Sequence, residues 1–129
     1  SDFASVCSNI VEGTLKSVIF RNEASVCKYI VPKGYGSNPS LNATLEVDEL
    51  YRKHSSLYYA AVNMDENGII STTSSRAAAI VSSGKTISEA EEKCENGLKH
   101  ISGNNLFTRH DIAKPDLIQK RITNMETIR

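Results

Sequence analysis

Apolar residues recur at every third or fourth position between residues 90 and 101, and this period predicts an amphipathic helix. The predicted apolar face carries Ala90, Cys94, Leu98 and Ile101. Either Thr86 or Ser88 can cap the first turn, because a hydroxyl there accepts a free backbone N–H and the following acidic residues face the positive end of the helix dipole. The helix is expected to end near Gly103, and a short apolar strand over residues 77–81 precedes it.

Apolar runs bounded by polar turns predict four more strands. These strands cover residues 16–20, 24–31, 57–64 and 69–72. The last two flank a hairpin turn in which Asn67 and Gly68 favour positive φ angles. The side chains of the strand at 24–31 alternate between two faces, and we expect both faces to be largely covered. One face carries Val26, Lys28 and Ile30, and the other carries Cys27, Tyr29 and Val31.

Helical spacing predicts a first short helix over residues 3–11 and a last helix that begins at Pro115, since proline suits the first helical turn. Asp48 can cap a single helical turn in between. Basic side chains lie toward the negative end of the last helix, namely Lys120, Arg121 and Arg129. Residues alone therefore indicate a domain of helices packed on a sheet.

A loop is predicted over residues 32–43, where glycine, proline, serine and asparagine replace the apolar pattern. Loops of this length inside a compact domain are uncommon and often functional. Gly34 and Gly36 flank Tyr35, so the backbone can turn sharply while the aromatic side chain projects from the sheet. The alternative is a solvent-exposed connection that Tyr35 anchors.

The chain has 129 residues, which is the length of one domain, and 15 basic side chains balance 15 acidic ones. This balance gives no electrostatic reason to expect nucleic acid or an anionic membrane as a partner. No apolar run approaches the roughly 20 residues of a membrane span. Three distant cysteines favour reduced, buried thiols in a cytoplasmic protein over a disulfide or a metal site.

Sequence motifs for phosphate loops, dinucleotide folds, zinc sites and serine hydrolases are absent, so we assign no catalytic or metal-binding residue.

Two polar clusters remain as candidate binding sites. Residues 72–76 combine hydroxyls with the guanidinium of Arg76 at the start of an apolar strand, an arrangement that suits an anionic group or an interdomain carboxylate. Arg109 and Asp111 lie two residues apart, so they either bind a ligand or pair with each other.

Five short motifs follow one another over about residues 24–113, namely Ala24-Ser25-Val26, Gly34-Tyr35-Gly36, Ser74-Ser75-Arg76-Ala77, Gly84-Lys85-Thr86-Ile87-Ser88-Glu89-Ala90 and Phe107-Thr108-Arg109-His110-Asp111-Ile112-Ala113. Their order resembles the C-terminal domain of the phosphoribosylamine–glycine ligase family, also called glycinamide ribonucleotide synthetases. The chain departs from the family pattern at several of these positions. Ser74 and Ser75 replace a glycine pair, Gly36 a proline, Thr108 an aromatic residue and Ala113 a glycine.

The resemblance implies an α+β fold in which helices pack against an antiparallel β-sheet, similar to the C-terminal part of biotin carboxylase. It also implies a place in an ATP-grasp ligase that joins phosphoribosylamine to glycine with ATP and magnesium. Residues 1–15 would be the tail helix of a missing ATP-grasp domain, and residues 16–129 would be the C-terminal domain. We expect the separate domain to lack ligase activity and tight ATP binding, and to be able to self-associate.

The resemblance further implies that Arg76, Tyr35, Arg109 and Asp111 contribute to substrate binding or to the contact between domains. Two other interpretations stay open at this point. One is the equivalent domain of another ATP-grasp enzyme, such as a carboxylase. The other is a non-catalytic interaction module with an α+β fold.

Overall fold

The computed structural model describes residues 1–128, so the predicted position of Arg129 near the end of the last helix lies outside the described residues. The helices are α1 (Phe3–Val11), α2 (Ile87–Leu98) and α3 (Pro115–Ile128), and a 3-10 helix covers Glu49–Lys53. The strands are β1 (Ala24–Pro32), β2 (Thr44–Val47), β3 (Ser56–Tyr59), β4 (Val62–Met64), β5 (Ile70–Thr72), β6 (Ala78–Gly84), β7 (Ile101–Ser102) and β8 (Leu106–Thr108). No helix in this part of the chain is both long and apolar enough for a bilayer crossing.

The strands form two four-stranded sheets, with the orders β3-β6-β1-β8 and β4-β5-β2-β7. Every pair of neighbouring strands is antiparallel. The longest pairing joins β1 to β6, from Ala24 opposite Gly84 to Ile30 opposite Ala78. The predicted α+β class with antiparallel pairing is therefore confirmed, although two sheets replace the single one that we expected.

Helix α2 covers one face of the first sheet, which we call the inner face, and the second sheet completes the core. The buried apolar cluster consists of Val26, Ile30, Leu45, Ala78, Ile80, Ala90, Cys94 and Leu98. Gly97 lets α2 approach closely, because a Cβ at this position would lie 2.1 Å from Ser55 Oγ and 2.6 Å from Ile80 Cδ1. Thr86 caps the helix by accepting a hydrogen bond of 3.2 Å from the Glu89 amide, as predicted for one of two candidates.

Helix α2 ends at Leu98 rather than near Gly103. Ile101 continues the apolar spacing but belongs to β7, where it pairs with Val47 of β2 and still packs against the core. At Ile101, continuation of the helix and a short strand would both direct the apolar side chain to the same core. The spacing of apolar residues therefore does not distinguish a helix from a strand at this position.

Two strand predictions are wrong. Residues 16–20 are not a strand, since no strand lies beside them. The Ile19 carbonyl instead accepts a hydrogen bond from the Ser1 ammonium, and the Ile19 amide donates one to the Ser1 hydroxyl. The strand predicted over 57–64 is two strands, because the chain leaves the first sheet at Ala60 and enters the second at Val62. Strand β2 was not predicted, although the capped turn after Asp48 is present as the 3-10 helix.

The hairpin of β4 and β5 is confirmed, with Met64 opposite Ile70. The positive φ predicted for Asn67 and Gly68 is found at Gly68, with a φ of 80°, but not at Asn67. The Asp65 carboxylate closes the turn by accepting hydrogen bonds from the amides of Asn67 and Ile69, at 2.9 and 2.8 Å. The Asp65 carboxylate thus stabilises the turn, whereas the prediction considered only Asn67 and Gly68.

The predicted burial of the thiols is correct only for Cys94, which packs between α2 and the first sheet. Cys7 and Cys27 are exposed, and none of the three is in a disulfide. Cys7 lies on α1, a helix in which no residue is buried, and Cys27 lies on the face of β1 that α2 does not cover. Apolar sequence neighbours do not bury a residue when its own helix or strand face has no covering layer.

Candidate functional site

The outer face of the first sheet, opposite α2, forms the floor of a groove. Because side chains alternate along a strand, the residues of β1 that follow Val26, Lys28 and Ile30 point to this face. The floor consists of Cys27, Tyr29 and Val31 of β1 and Phe107 of the neighbouring β8. Tyr29 and Phe107 are about half exposed, so the predicted cover on both faces of β1 is wrong at this point.

The walls of the groove come from three separate segments, and its volume is about 460 Å³. Tyr35 enters from the loop after β1, Arg76 from the residues before β6, and Arg109 and Ile112 from the segment after β8. The structure thus places three of the four predicted site residues around one groove. Asp111 is not among the residues that line it, but it contacts Arg109.

Arg76 is the uncompensated cation of the groove. Its guanidinium carbon lies 4.9 Å from the ring centroid of Tyr29, within the range of a cation–π contact. Among residues 1–128, no carboxylate lies within ion-pair distance of Arg76. A planar guanidinium held over an aromatic ring keeps its N–H donors available, so Arg76 can bind a phosphate or carboxylate in two-pronged geometry.

Arg109 differs from Arg76 because Asp111 already neutralises it. Arg109 Nε donates a 3.0 Å hydrogen bond to one Asp111 oxygen, and Nη2 donates a 2.5 Å hydrogen bond to the other. This contact lowers the pKa of the Asp111 carboxyl and raises the pKa of Arg109. The structure therefore shows the self-pairing alternative, and an anion at Arg109 would have to share the guanidinium with Asp111.

The loop that carries Tyr35 needs glycine at position 34. Gly34 has a φ of 81°, and a Cβ there would lie 2.2 Å from the carbonyl oxygen of Asn38. The loop then closes on itself through a 3.0 Å hydrogen bond from the Tyr35 amide to the Pro32 carbonyl. This compact turn places the half-exposed Tyr35 ring beside the groove.

A buried ion cluster lies on the inner face of β1, directly behind the groove. We use this name for the buried pair Lys28 and Glu91 together with the more exposed side chains that bind it, Glu95, His110 and Lys114. Lys28 is 1% exposed and its ammonium lies 2.7 Å from Glu91 and 2.5 Å from Glu95. The same nitrogen donates to the backbone carbonyl of His110 at 3.0 Å. Since a lysine ammonium has three N–H donors, all three are used.

The two carboxylates of this cluster also bind residues of the segment after β8. Glu91 lies 2.8 Å from the Lys114 ammonium, and Glu95 lies 2.9 Å from His110 Nδ1. Burial by itself would raise the pKa of Glu91, but the hydrogen bonds from Lys114 and Lys28 lower it overall. Burial likewise opposes the hydrogen bonds from Lys28 and His110 at Glu95, whose pKa is also lowered.

Sequence reasoning missed the aromatic floor and the buried ion cluster. Tyr29 and Phe107 were assigned to strands without a site role, and Lys28 was assigned to an apolar face without a partner. The available signal was Lys28 itself, since a lysine between Val26 and Ile30 on an inward face requires buried carboxylates. Glu91 and Glu95, four residues apart on α2, supply them.

A comparison with models of known protein families shows the family of this chain. Residues 25–115 match the family model described as phosphoribosylglycinamide synthetase, C domain. The chain belongs to this family. The match includes β1, the loop of Tyr35, both sheets, α2 and the segment after β8, so the groove lies within the C-domain region.

Curated relatives extend this similarity over the whole chain. A phosphoribosylamine–glycine ligase of Methanocaldococcus jannaschii is 45% identical over 133 residues, covering 100% of this chain and 30% of the relative. The enzyme of the same name from Methanothermobacter thermautotrophicus is 43% identical and also has 30% of its length covered. The chain therefore spans about a third of the length of these relatives.

A crystal structure of phosphoribosylamine–glycine ligase from Thermotoga maritima supports the fold of the C domain. It superposes with a TM-score of 0.59 over 68% of this chain and 21% of that one. The sequence identity is 18%, so this likeness concerns the fold alone.

Proposed function

We propose that the chain is the C-terminal domain of a phosphoribosylamine–glycine ligase, which joins phosphoribosylamine to glycine with ATP in purine biosynthesis. The observation that carries this proposal is the similarity of 43 to 45% to ligases of this name over the entire chain. The full enzyme is proposed to be cytoplasmic. The domain contributes binding groups to it and no reaction of its own.

Arg76 is the main binding residue of this proposal. Its guanidinium is uncompensated, lies on an aromatic floor and faces a groove large enough for a sugar phosphate. Charge-assisted contacts of this kind orient a substrate and stabilise negative charge without proton transfer. Tyr35 can donate a hydrogen bond from the groove wall, while Arg109, which lines the groove, and its partner Asp111 contribute to substrate binding or to the contact with a neighbouring domain.

ATP and magnesium are proposed to bind to other parts of the ligase. Magnesium is held by carboxylates and substrate phosphates. Within the described residues, no three His, Cys, Asp or Glu side chains gather as a metal site, and Asp111 is occupied by Arg109. The residues of this domain therefore do not fit the metal, and we assign no step of the reaction to it here.

Helix α1 is proposed to pack against the ATP-grasp domain. None of its residues is buried, and Phe3, Ile10 and Val11 are 80%, 59% and 88% exposed. Ile19 and Phe20 extend this apolar surface at 74% and 84% exposure. Apolar patches of this kind mark interaction surfaces. The relatives supply a candidate partner in the two thirds of their length that this chain does not match. The same surface allows the separate domain to self-associate.

The kinetics of an Arg76→Ala variant of the whole ligase test the proposed site. Losing a charge-assisted contact to substrate corresponds to about 1.5–3 kcal/mol, or roughly a 10- to 150-fold rise in KM for phosphoribosylamine. The KM for ATP should stay the same. Arg52→Ala is the matched control, because Arg52 also lies over a tyrosine ring, Tyr51, at 5.1 Å but outside the groove.

Unchanged kinetics for Arg76→Ala would remove the groove from the substrate site. A second measurement concerns the 129-residue chain by itself, which should release no ADP from ATP in the presence of both substrates. ADP release that depends on glycine and phosphoribosylamine would contradict the binding-only role of the domain.

A further inference from the structure

We propose that the buried ion cluster holds residues 109–114 in position beside the groove. Its contacts with the side chains of His110 and Lys114 can be removed while the domain stays folded. The inference rests on the proposed substrate role of the groove. According to this inference, charged residues on the inner face of β1 affect ligand binding on the outer face. Arg109 and Ile112 are the groove residues that the cluster would hold in position.

The segment after β8 has little backbone hydrogen bonding of its own, although Arg109 pairs with Asp111 and Ala113 packs against the hydrophobic core. It runs from the end of β8 at Thr108 to the start of α3 at Pro115 and forms no strand pairing. Its internal backbone hydrogen bond is the 3.1 Å contact from the Lys114 amide to the Asp111 carbonyl. Ala113 has a φ of 65°, which side-chain-bearing residues seldom adopt unless the surroundings impose it.

Three contacts of the buried ion cluster fix this segment from behind. Lys28 binds the His110 carbonyl at 3.0 Å, Glu95 binds the His110 ring at 2.9 Å, and Glu91 binds the Lys114 ammonium at 2.8 Å. These contacts lie on both sides of Ile112 and directly beside Arg109. Glu91 and Glu95 are on α2 and Lys28 is on β1, so these contacts attach the segment to the most buried part of the fold.

The contacts of His110 and Lys114 are separable from the stability of the core. His110 and Lys114 side chains are 66% and 45% exposed, whereas Lys28 is 1% exposed. If the two exposed side chains are removed, Lys28 retains its contacts with both carboxylates, while the cluster then carries one net negative charge at its solvent-facing side. The expected consequence is a looser segment on an intact domain.

The test is the double variant His110→Ala with Lys114→Met in the whole ligase. We expect the KM for phosphoribosylamine to rise about threefold to tenfold, as for the loss of two partly exposed ion contacts. The KM for ATP should stay near that of the unmodified enzyme, and the melting temperature should fall only slightly, because Lys28 keeps its contacts with both carboxylates. The conservative pair His110→Asn with Lys114→Arg should restore the KM, because asparagine can donate near the Nδ1 position and arginine keeps the charge.

The matched control is Lys93→Met, which removes a 2.8 Å lysine–glutamate contact with Glu89 on the same helix but far from the segment. Hydrogen exchange provides a readout that does not depend on activity, and amides of residues 109–114 should exchange faster in the double variant only.

Three outcomes overturn the inference, and they distinguish it from the proposed function. If Arg76→Ala raises the KM for phosphoribosylamine but the double variant changes neither the KM nor the exchange, the site stands and the positioning role is wrong. If exchange rises without any change in KM, the contacts are structural only. If Arg76→Ala has no effect, the site fails and the positioning role fails with it.

Discussion

The two faces of β1 differ in what surrounds them, although their residues alternate one by one. On the inner face, Val26, Lys28 and Ile30 are all buried against α2. On the outer face, Tyr29 is 44% exposed and lies under the unpaired guanidinium of Arg76. The comparison teaches that one strand can carry the stability of the domain on one side and its proposed binding chemistry on the other.

The difference also separates two uses of charge. The charges on the inner face are fully matched, with each Lys28 donor used by an oxygen acceptor. The charge of Arg76 on the outer face has no carboxylate partner within residues 1–128. Matched buried charges specify a geometry, whereas an unmatched exposed charge is available for a ligand. Substitutions on the two faces should therefore affect different measurements.

Loss of Lys28 should give the largest effect on stability. In a Lys28→Met variant, Glu91 and Glu95 would face each other without the ammonium between them, and the stability of such a site falls by about 3–5 kcal/mol. Urea unfolding of the 129-residue chain measures this change. Lys16→Met is the control, because Lys16 is an exposed lysine. If Lys28→Met lowers the free energy of unfolding by less than about 1 kcal/mol, the effect is no larger than that of an exposed ion pair. This result would show that the stability of the inner face does not depend on its buried charges.

Much of this two-faced arrangement could be predicted from the sequence. Alternation in residues 24–31 assigned Val26, Lys28 and Ile30 to one face, and helical spacing with the Thr86 cap located α2. The polar cluster at residues 72–76 and the glycine-flanked loop singled out Arg76 and Tyr35 separately, and only the resemblance to the ligase family implied a common role for them. Nothing in residue spacing predicts that segments far apart in sequence meet on one surface.

The errors have a common physical origin in missing neighbours. Residues 16–20 have strand-like composition, but a strand needs a partner for its backbone, and none lies beside them. Cys27 and Tyr29 were expected to be covered, but both are exposed, whereas Val31 on the same face is buried. Local patterns indicate which side chains avoid water, whereas tertiary arrangement decides which faces receive a cover.

Acid should weaken the inner face more than the outer face. Burial raises the pKa values of Glu91 and Glu95, but hydrogen bonds from Lys114 and Lys28 to Glu91, and from Lys28 and His110 to Glu95, outweigh it and hold both pKa values below the usual glutamate value of 4.5. Since the folded pKa is the lower one, ionisation stabilises the fold above about pH 4.5, and this contribution is lost as the pH falls through the folded pKa.

A Glu91→Gln variant tests this pH dependence, because glutamine cannot ionise. We expect it to be less stable than the unmodified chain at pH 7, with a difference that shrinks toward pH 3. Unfolding free energies at several pH values provide the measurement, and Glu66→Gln in the exposed turn between β4 and β5 is the control. A constant difference across this range would contradict ionisation of Glu91 as the source of its stabilising effect.

The smallest effect on stability is expected from the outer face. A Tyr29→Leu variant removes the ring under Arg76 and keeps an apolar side chain on the strand, and a half-exposed cation–π contact is worth about 0.5–1 kcal/mol. The unfolding free energy should therefore change by less than about 1 kcal/mol. The same substitution frees the guanidinium of Arg76 from the surface that orients it, so the KM of the whole ligase for phosphoribosylamine should rise although the domain stays folded. A loss of stability as large as that of Lys28→Met would mean that the outer face supports the fold in the same way as the inner face, and the separation of stability from binding across β1 would be wrong.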